Sequence, residues 1–404
     1  MEGYSLKICR FARDFPSLTA IEYGIAPGVY DLSREQVKLG AEVHIITNKL
    51  AGVPDYEERE GVRVYRVKVP YNIEALRELR KLDKKIKVDV VHAHGTSPIT
   101  FALVNSLVKM KPYVVHIHDT TAGIMRNCGY TPLGLAPVSA LKERFWIAVT
   151  LARQRFMWKR ADMLIAVSNG VAGELSELYG VPHEKIRVVH NGVDVNLLQP
   201  VTEETRSKLQ RKLGIKGNPV ILYVGHLSPR KGSHYLLKAV PQILKAFPKA
   251  VFVFVGGIPK FLKTSVYWSL WHDIVERLGI QEHVLFVGEV KHREALDFYA
   301  AADVFVLPTF YEGLPKATLE AMATGLPVVT TNIDGNSELV LHGKTGYLVE
   351  PGHVNELADM IIQVLLDPSK AKTIGLQGRK WVEAHFTWRQ AAEKIIDIYE
   401  ELRS

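Results

Sequence analysis

Short runs rich in valine and isoleucine alternate with longer stretches whose apolar residues recur every three to four positions, along nearly the whole chain. The alternation predicts βαβ units, parallel strands covered by helices on both faces. In the first half, strands are expected near Leu6 to Arg10, Val43 to Thr47, Val62 to Val69, Val88 to His92, Tyr113 to His116, Met163 to Val167 and Ile186 to Val189. In the second half they are expected near Val220 to Gly225, Val251 to Gly256, Val284 to Gly288, Val304 to Pro308, Val328 to Thr331 and Tyr347 to Val349. The run VFVFVG is apolar at every position, as a strand buried on both faces must be. A polar, turn-rich stretch, NGVDVNLLQPVTEETRSKLQ, separates the two series, so two doubly wound α/β domains are expected, residues 1–195 and 196–386. In the last segment, 387–404, Trp388, Ala391, Ala392, Ile395, Ile396, Tyr399 and Leu402 share one helical face behind a Thr387/Gln390 capping box.

The 404 residues, 47% hydrophobic and 23% charged, suffice for two large domains and exclude a disordered tail. With only Cys9 and Cys128, no disulfide framework or cysteine-based zinc cluster can form, and a reducing compartment fits. No apolar run approaches the roughly 20 residues of a membrane span, and MEGYSLKICRF enters a strand-like run without a signal-peptide core. A cytoplasmic location is therefore expected. Lys and Arg outnumber Asp and Glu by 51 to 43, a net +8 that suits an anionic partner: a phosphorylated small molecule, an acidic membrane surface or nucleic acid. The aromatic and basic surface module of a nucleic-acid binder is not evident, which disfavours the last.

Ligands of doubly wound sheets bind beyond the carboxyl ends of strands, so the loops there carry the chemistry. In VILYVGHLSPRKGSHYLLKAV a buried strand leads to a loop with Gly225, His226, Arg230, Lys231 and Gly232, and then to a helix. Helix-terminal amides with two cations make a diphosphate cradle; a solvated basic loop is the plainer alternative. In VFVLPTFYEGLPKATLEAMATGLPVVTT, Glu312 falls in a loop and Glu320 on the following helix, an arrangement suited to two hydroxyl-binding tasks, although Glu320 could equally be a structural carboxylate. In YVVHIHDTTAG, His118 and Asp119 end a strand; His118 can donate to a substrate oxygen or be a satisfied core histidine. The HAH pair, His92 and His94, is placed just after a strand and read as structural, since no third metal ligand is apparent. No Asp-x-Asp occurs to clamp a metal–diphosphate. HGKTG lacks the phosphate-loop glycine, which is Glu338, and neither GxGxxG nor GxSxG is present.

Taken together, VGHLSPRKG, EGLPKATLEA, ADMLIAVS, HNGVD, HIHD and KTGYLVEPG resemble the retaining, family-4-type glycosyltransferases of GT-B fold, with Glu312 and Glu320 as the E-x7-E pair. The resemblance spans nearly the whole chain. It implies two Rossmann-like domains facing across a cleft, with the helix of 387–404 crossing back onto the first. It implies a nucleoside-diphosphate sugar donor, with Arg230 and Lys231 on the diphosphate, Glu320 on the ribose and Glu312 on the sugar. Amides of Gly313, Leu314, Lys316 and Ala317 would reach sugar and phosphate, Gly225 and His226 would line the donor loop, and Gly288, Glu289 and Val290 would edge the base. From the first domain, His118 would meet the sugar and a loop around Gly28 the phosphate. Two positions depart from the family pattern: His226 stands where arginine is usual, and Pro27–Gly28 replace paired glycines. The implied reaction is transfer with retention, without metal or other cofactor, to a sugar, small-molecule or lipid-linked acceptor. A nucleotide-sugar epimerase, a phosphorylase and a non-catalytic nucleotide-sugar binder are the competing readings.

Peripheral association with an anionic membrane is a further expectation. In EALRELRKLDKKIK, Leu76, Leu79, Leu82 and Ile86 share a face, and Arg77, Arg80, Lys81, Lys84, Lys85 and Lys87 surround it. Ordinary docking of this helix on the sheet is the alternative. A second patch, FLKTSVYWSLW, concentrates Tyr267, Trp268 and Trp271 and suits either a buried helix or a membrane interface.

Overall fold

The computed structural model describes residues 6–12, 15, 26–68, 71–95, 98–128, 141–215, 218–258 and 269–403. They form two compact units. The first comprises Met1–Ala122, Leu141–Gly192 and Trp388–Ser404; the second comprises Val193–Thr387 with Gly123–Ala140.

The first unit is built on an eight-stranded sheet: β1 (Lys7–Phe11), β2 (Glu42–Asn48), β3 (Tyr56–Arg59), β4 (Val62–Val67), β5 (Val90–His94), β6 (Tyr113–Ile117), β7 (Met163–Ala166) and β8 (Ile186–Val188). Their order is β3-β4-β2-β1-β5-β6-β7-β8. Every pairing is parallel except β3 with β4. The chain goes from β1 to β2 on one side and later returns to β5 on the other, which puts the topological switch point between β1 and β5. The edge strand β3 has no hydrophobic alternation to announce it. It exists because Glu60 and Gly61, both at positive φ (50° and 79°), form a two-residue hairpin turn that folds YEER back onto β4.

The helices here are α1 (Ala26–Lys38), α2 (Tyr71–Ile86), α3 (Ile99–Val108) and α5 (Leu141–Arg160), with α4 (Thr121–Cys128) starting in this unit and running into the Gly123–Ala140 segment of the second. α6 (Asn169–Glu177) opens on Ser168, whose hydroxyl accepts from the Val171 amide. In α2, Ala75, Leu79 and Leu82 are buried while Arg80, Lys81, Lys84 and Lys85 are exposed, so the apolar stripe docks and the basic face remains outside.

The second unit carries a six-stranded parallel sheet: β9 (Val220–Val224), β10 (Val251–Val255), β11 (Val284–Gly288), β12 (Val304–Leu307), β13 (Val328–Thr331) and β14 (Tyr347–Val349), in the order β11-β10-β9-β12-β13-β14. Its switch point lies between β9 and β12. The helices are α7 (Glu203–Lys212), α8 (Ser233–Ala246), α9 (Leu270–Leu278), α10 (His292–Ala301), α11 (Lys316–Ala323), α12 (Asp334–Ser337), α13 (Val354–Leu366) and α14 (Pro368–His385). Of the expected aromatic patch, Trp271 is fully buried in α9 and donates to Ser233 Oγ at 2.7 Å, so it offers nothing to a membrane. Tyr267 and Trp268 lie outside the described residues.

The last helix, α15 (Trp388–Arg403), is part of the first unit. Trp388, Ala391, Ala392, Ile395, Ile396, Ile398 and Tyr399 are buried in the same core as Val29, Tyr30 and Leu32 of α1 and Ile8 of β1.

Candidate functional site

At the carboxyl end of β9 the chain does not run on as an open loop. Residues Pro229–Lys231 form one turn of 3-10 helix, ended by Gly232 at φ 67°. A Cβ there would lie 1.7 Å from the Pro308 carbonyl oxygen, so only glycine lets this turn press onto the end of β12. The contact is stitched by Phe310 N–H and Thr309 Oγ1, which donate to the Arg230 carbonyl at 2.8 and 3.0 Å. The two loops across the switch point thereby become one scaffold.

That scaffold brings Arg230, Lys231 and Glu312 together. Lys231 Nζ lies 2.5 Å from Glu312 Oε1, and Arg230 Nη1 lies 3.7 Å from Oε2 while donating to the Tyr311 carbonyl at 3.1 Å. Thr309 Oγ1 also lies 3.1 Å from Glu312 Oε1, so its one proton is shared between that carboxylate and the Arg230 carbonyl. Only 8% of the Glu312 side chain is exposed. Burial alone would raise its pKa, but Lys231 and then Arg230 outweigh that and hold the carboxyl below its ordinary value. Underneath, Gly335 of α12 supports the loop: a Cβ would fall 2.4 Å from the Glu312 carbonyl oxygen and 2.8 Å from that of Gly313. Nothing in the spacing of α12 signals this role.

Gly313 and Leu314 lead to Pro315, the N-cap of α11, so Lys316 and Ala317 supply the first helical amides. One turn on, Glu320 is 5% exposed and accepts from His292 Nε2 at 2.7 Å and Tyr299 OH at 3.0 Å, with Lys316 Nζ 3.6 Å away. Burial opposes ionisation, yet Lys316 and His292 prevail and bring its pKa down to about 2. Glu320 is thus an anion clasped by α10 and its own helix. His292 and Tyr299 escaped the sequence reading because their link to Glu320 is made only by packing α10 against α11.

A cavity of about 340 Å3 opens where β10 and β11 end, lined among others by Leu227, Gly256, Gly257, Phe286, Gly288 and Glu289. Gly288 closes β11 at φ 80°, Glu289 is exposed, and Val290 follows without lining the cavity. Gly225 (φ 156°) and the exposed His226 lie next to β10: Gly225 N–H donates to Val255 O at 2.9 Å. A larger cavity, about 430 Å3, surrounds Pro219 and Asp303, at the amino ends of β9 and β12; of the groups above only Tyr299 lines it, and Arg230, Lys231, Glu312 and Glu320 do not.

In the first unit two expectations need correction. Gly28 is not in a loop but in the first turn of α1, where a Cβ would meet the Trp388 ring at 3.0–3.1 Å. Close packing of α1 on α15 accounts for this glycine. The strand runs on past His92, so His92 and His94 both lie within β5, and a third histidine, His116 of β6, stands beside them, with ligand atoms of all three within 4.8 Å of one another. His118 follows β6, its Nε2 3.0 Å from His94 Nδ1, and burial lowers its pKa to about 4, so the ring is neutral near pH 7.

The chain matches the family model described as "Glycosyl transferases group 1" over residues 205–381 and that described as "Glycosyltransferase Family 4" over residues 24–197. It is 28% identical over 412 residues to an uncharacterized glycosyltransferase of Methanocaldococcus jannaschii, covering 98% of both chains. It is 30% identical over 328 residues to a glycogen synthase of Mycobacterium tuberculosis, covering 80% of this chain and 71% of that one. Among solved structures, the sucrose-phosphate synthase of Thermosynechococcus elongatus superimposes with a TM-score of 0.81 at 22% identity, covering 98% of this chain and 99% of that one, a likeness of fold. The fold is GT-B, and the chain belongs to the group 1 glycosyltransferases; it is a glycosyltransferase.

Proposed function

We propose that the protein transfers a sugar from a nucleoside-diphosphate sugar to an acceptor hydroxyl with retention of anomeric configuration and without a catalytic metal. The observation that carries this reading is the Arg230–Lys231–Glu312 cluster between the ends of β9 and β12. On this reading the two cations hold the diphosphate and the first amides of α11 meet its oxygens. Glu312 binds sugar hydroxyls, Glu320 the ribose, and the cavity beside Gly288 and Glu289 the base. His118 is assigned to the sugar. As the sugar–oxygen bond breaks, negative charge grows on the leaving diphosphate, where Arg230 and Lys231 are placed to stabilise it. The departing oxygen takes the acceptor's proton as the hydroxyl attacks from the same face, so no protein nucleophile is required.

Glu312 does not serve as that nucleophile here, because an anion shared between Lys231 and Arg230 is a poor one. The deciding experiment is product analysis by NMR with a panel of nucleoside-diphosphate sugars, run with and without excess EDTA. A product anomer matching the donor, formed at an undiminished rate in chelator, is expected. An inverted anomer, or loss of activity in EDTA restored by manganese, overturns the mechanism. For the acceptor, the exposed basic face of α2 favours a lipid-linked one at an anionic surface: the protein should sediment with anionic vesicles at low salt, and Lys81, Lys84 and Lys85→Glu should release it. Failure to sediment at any composition favours a soluble sugar acceptor. No helix among the described residues is long and apolar enough to cross a membrane.

A further inference from the structure

We propose that His92, His94 and His116 form a three-imidazole site for a divalent transition ion of the zinc class, inside the first unit and beneath His118. In the parallel register of β5 and β6, His94 lies opposite His116, and His92 is two residues back along β5, so all three side chains leave the same face of the sheet. The ring centroids form a nearly equilateral triangle, with sides of 4.8 Å (His92–His94), 5.2 Å (His94–His116) and 5.5 Å (His92–His116). The centre of that triangle is about 3 Å from each centroid, roughly the distance a ring takes when one nitrogen is about 2.0–2.1 Å from zinc. The rings now stack within 13–20° of parallel, so each must turn about its Cβ–Cγ bond to aim a nitrogen inward.

The hydrogen bonds leave the right atoms free. His92 Nδ1 is held by the Tyr399 hydroxyl and His94 Nδ1 by His118 Nε2, while Nε2 of both rings, and both nitrogens of His116, have no hydrogen-bond partner. Buried polar nitrogens are seldom left unsatisfied, and here three neighbouring rings carry them, with one candidate ligand atom from each within 4.8 Å of the others. In His92 and His94, one nitrogen held by a neighbour and the other free is the arrangement metal-bound histidines show, the outer bond setting the tautomer. Three neutral nitrogens without a carboxylate favour a borderline ion such as Zn2+ over Mg2+ or Ca2+, and leave a fourth position for water or hydroxide. Cys9, paired with Val91, points to the other face of the sheet and is not a ligand. Arg10, opposite His92, is the nearby cation, and its repulsion weakens the site relative to one containing a carboxylate.

An ion here would pin β5 to β6. The inference does not depend on the sugar-transfer reading, and its readouts are binding and spectroscopy. The full chain, freed of metal with a chelator, is titrated with Co2+ and then Zn2+. One equivalent of Co2+ should produce visible d–d absorption that one equivalent of Zn2+ removes, and Zn2+ should raise the Tm. His92→Asn and His116→Asn should abolish the band, and Tyr399→Phe, which keeps every ligand, should weaken binding by about 10–100-fold. If the asparagine variants fail to fold, X-ray absorption of the zinc-loaded native chain decides: about three imidazole nitrogens are expected. Absence of stoichiometric binding, a cobalt band unchanged in His116→Asn, or a zinc shell made mostly of oxygen overturns the proposal.

Discussion

The strongest forces on single residues in the second unit are the two carboxylates held ionised against their burial. Glu312→Gln and Lys231→Ala should each lower kcat/KM by about 100-fold or more, the scale for losing a group that stabilises transition-state charge. Loop residues outside a packed core would be expected to leave stability untouched; the burial of this pair changes that. Lys231→Ala leaves a carboxylate that is 8% exposed with Arg230, 3.7 Å away, in place of its closer cation, and urea unfolding should show a loss of about 1–3 kcal/mol. The double variant Lys231→Met, Glu312→Leu removes both charges, so it should regain much of that stability and none of the activity. Single variants with native turnover would remove both residues from the site. Glu320 makes a separate claim about pH. Its carboxyl is depressed to about 2, below the ordinary value of 4.5, so its ion pairing stabilises the fold fully above pH 4.5. That contribution, on the order of 3 kcal/mol, disappears as pH falls from 4.5 through 2. Acid unfolding of Glu320→Gln should therefore be flatter over that window than that of the native chain; equal slopes would show that the His292–Tyr299–Lys316 clasp contributes little.

At the scale of elements, the glycines tell which turns the site depends on. Gly232 and Gly343 both have positive φ, 67° and 72°, but a Cβ at Gly232 strikes the Pro308 carbonyl while one at Gly343 meets nothing. Gly343→Ala should cost only the backbone term, about 1–2 kcal/mol. Gly232→Ala must also part the turn of Arg230 and Lys231 from β12, so denaturant unfolding should show a clearly larger loss, accompanied by loss of activity. Equal losses would mean that the two loops are not joined as described. The same contrast explains what could be read in advance. Valine-rich runs such as VFVFV announce buried strands whatever surrounds them, and the ends of β9 and β12 followed directly, with the Arg230, Lys231 and Glu312 loops at those ends. What depended on packing between elements was not legible: β3, made by a hairpin turn; Gly335 under the Glu312 loop; His292 and Tyr299 around Glu320; His116 beside His92 and His94. The close packing at Gly28 was hidden for the same reason, since only the approach of Trp388, 360 residues away, reveals it.

At the scale of the molecule, the chain closes its first unit with its last helix. Trp388, Ile395, Ile396, Ile398 and Tyr399 are all buried against α1 and the sheet, and five such side chains contribute on the order of 10 kcal/mol at about 1.5–3 kcal/mol each. A whole domain is stable by only about 5–15 kcal/mol, so the first unit should not persist without this helix. The sheet of the second unit and helices α7 to α14 fall within Val193–Thr387 and include none of it. Deleting residues 388–404 should therefore abolish hydrogen-exchange protection in β1, β2, β5 and β6 and leave β9, β10 and β12 protected. Adding the missing segment back as a peptide should restore protection in the first set, because its apolar stripe has one place to dock. Native protection of β1 and β5 in the truncated chain would show that α15 covers a core already complete without it. Loss of protection in both sheets together would instead make the two units one cooperative block.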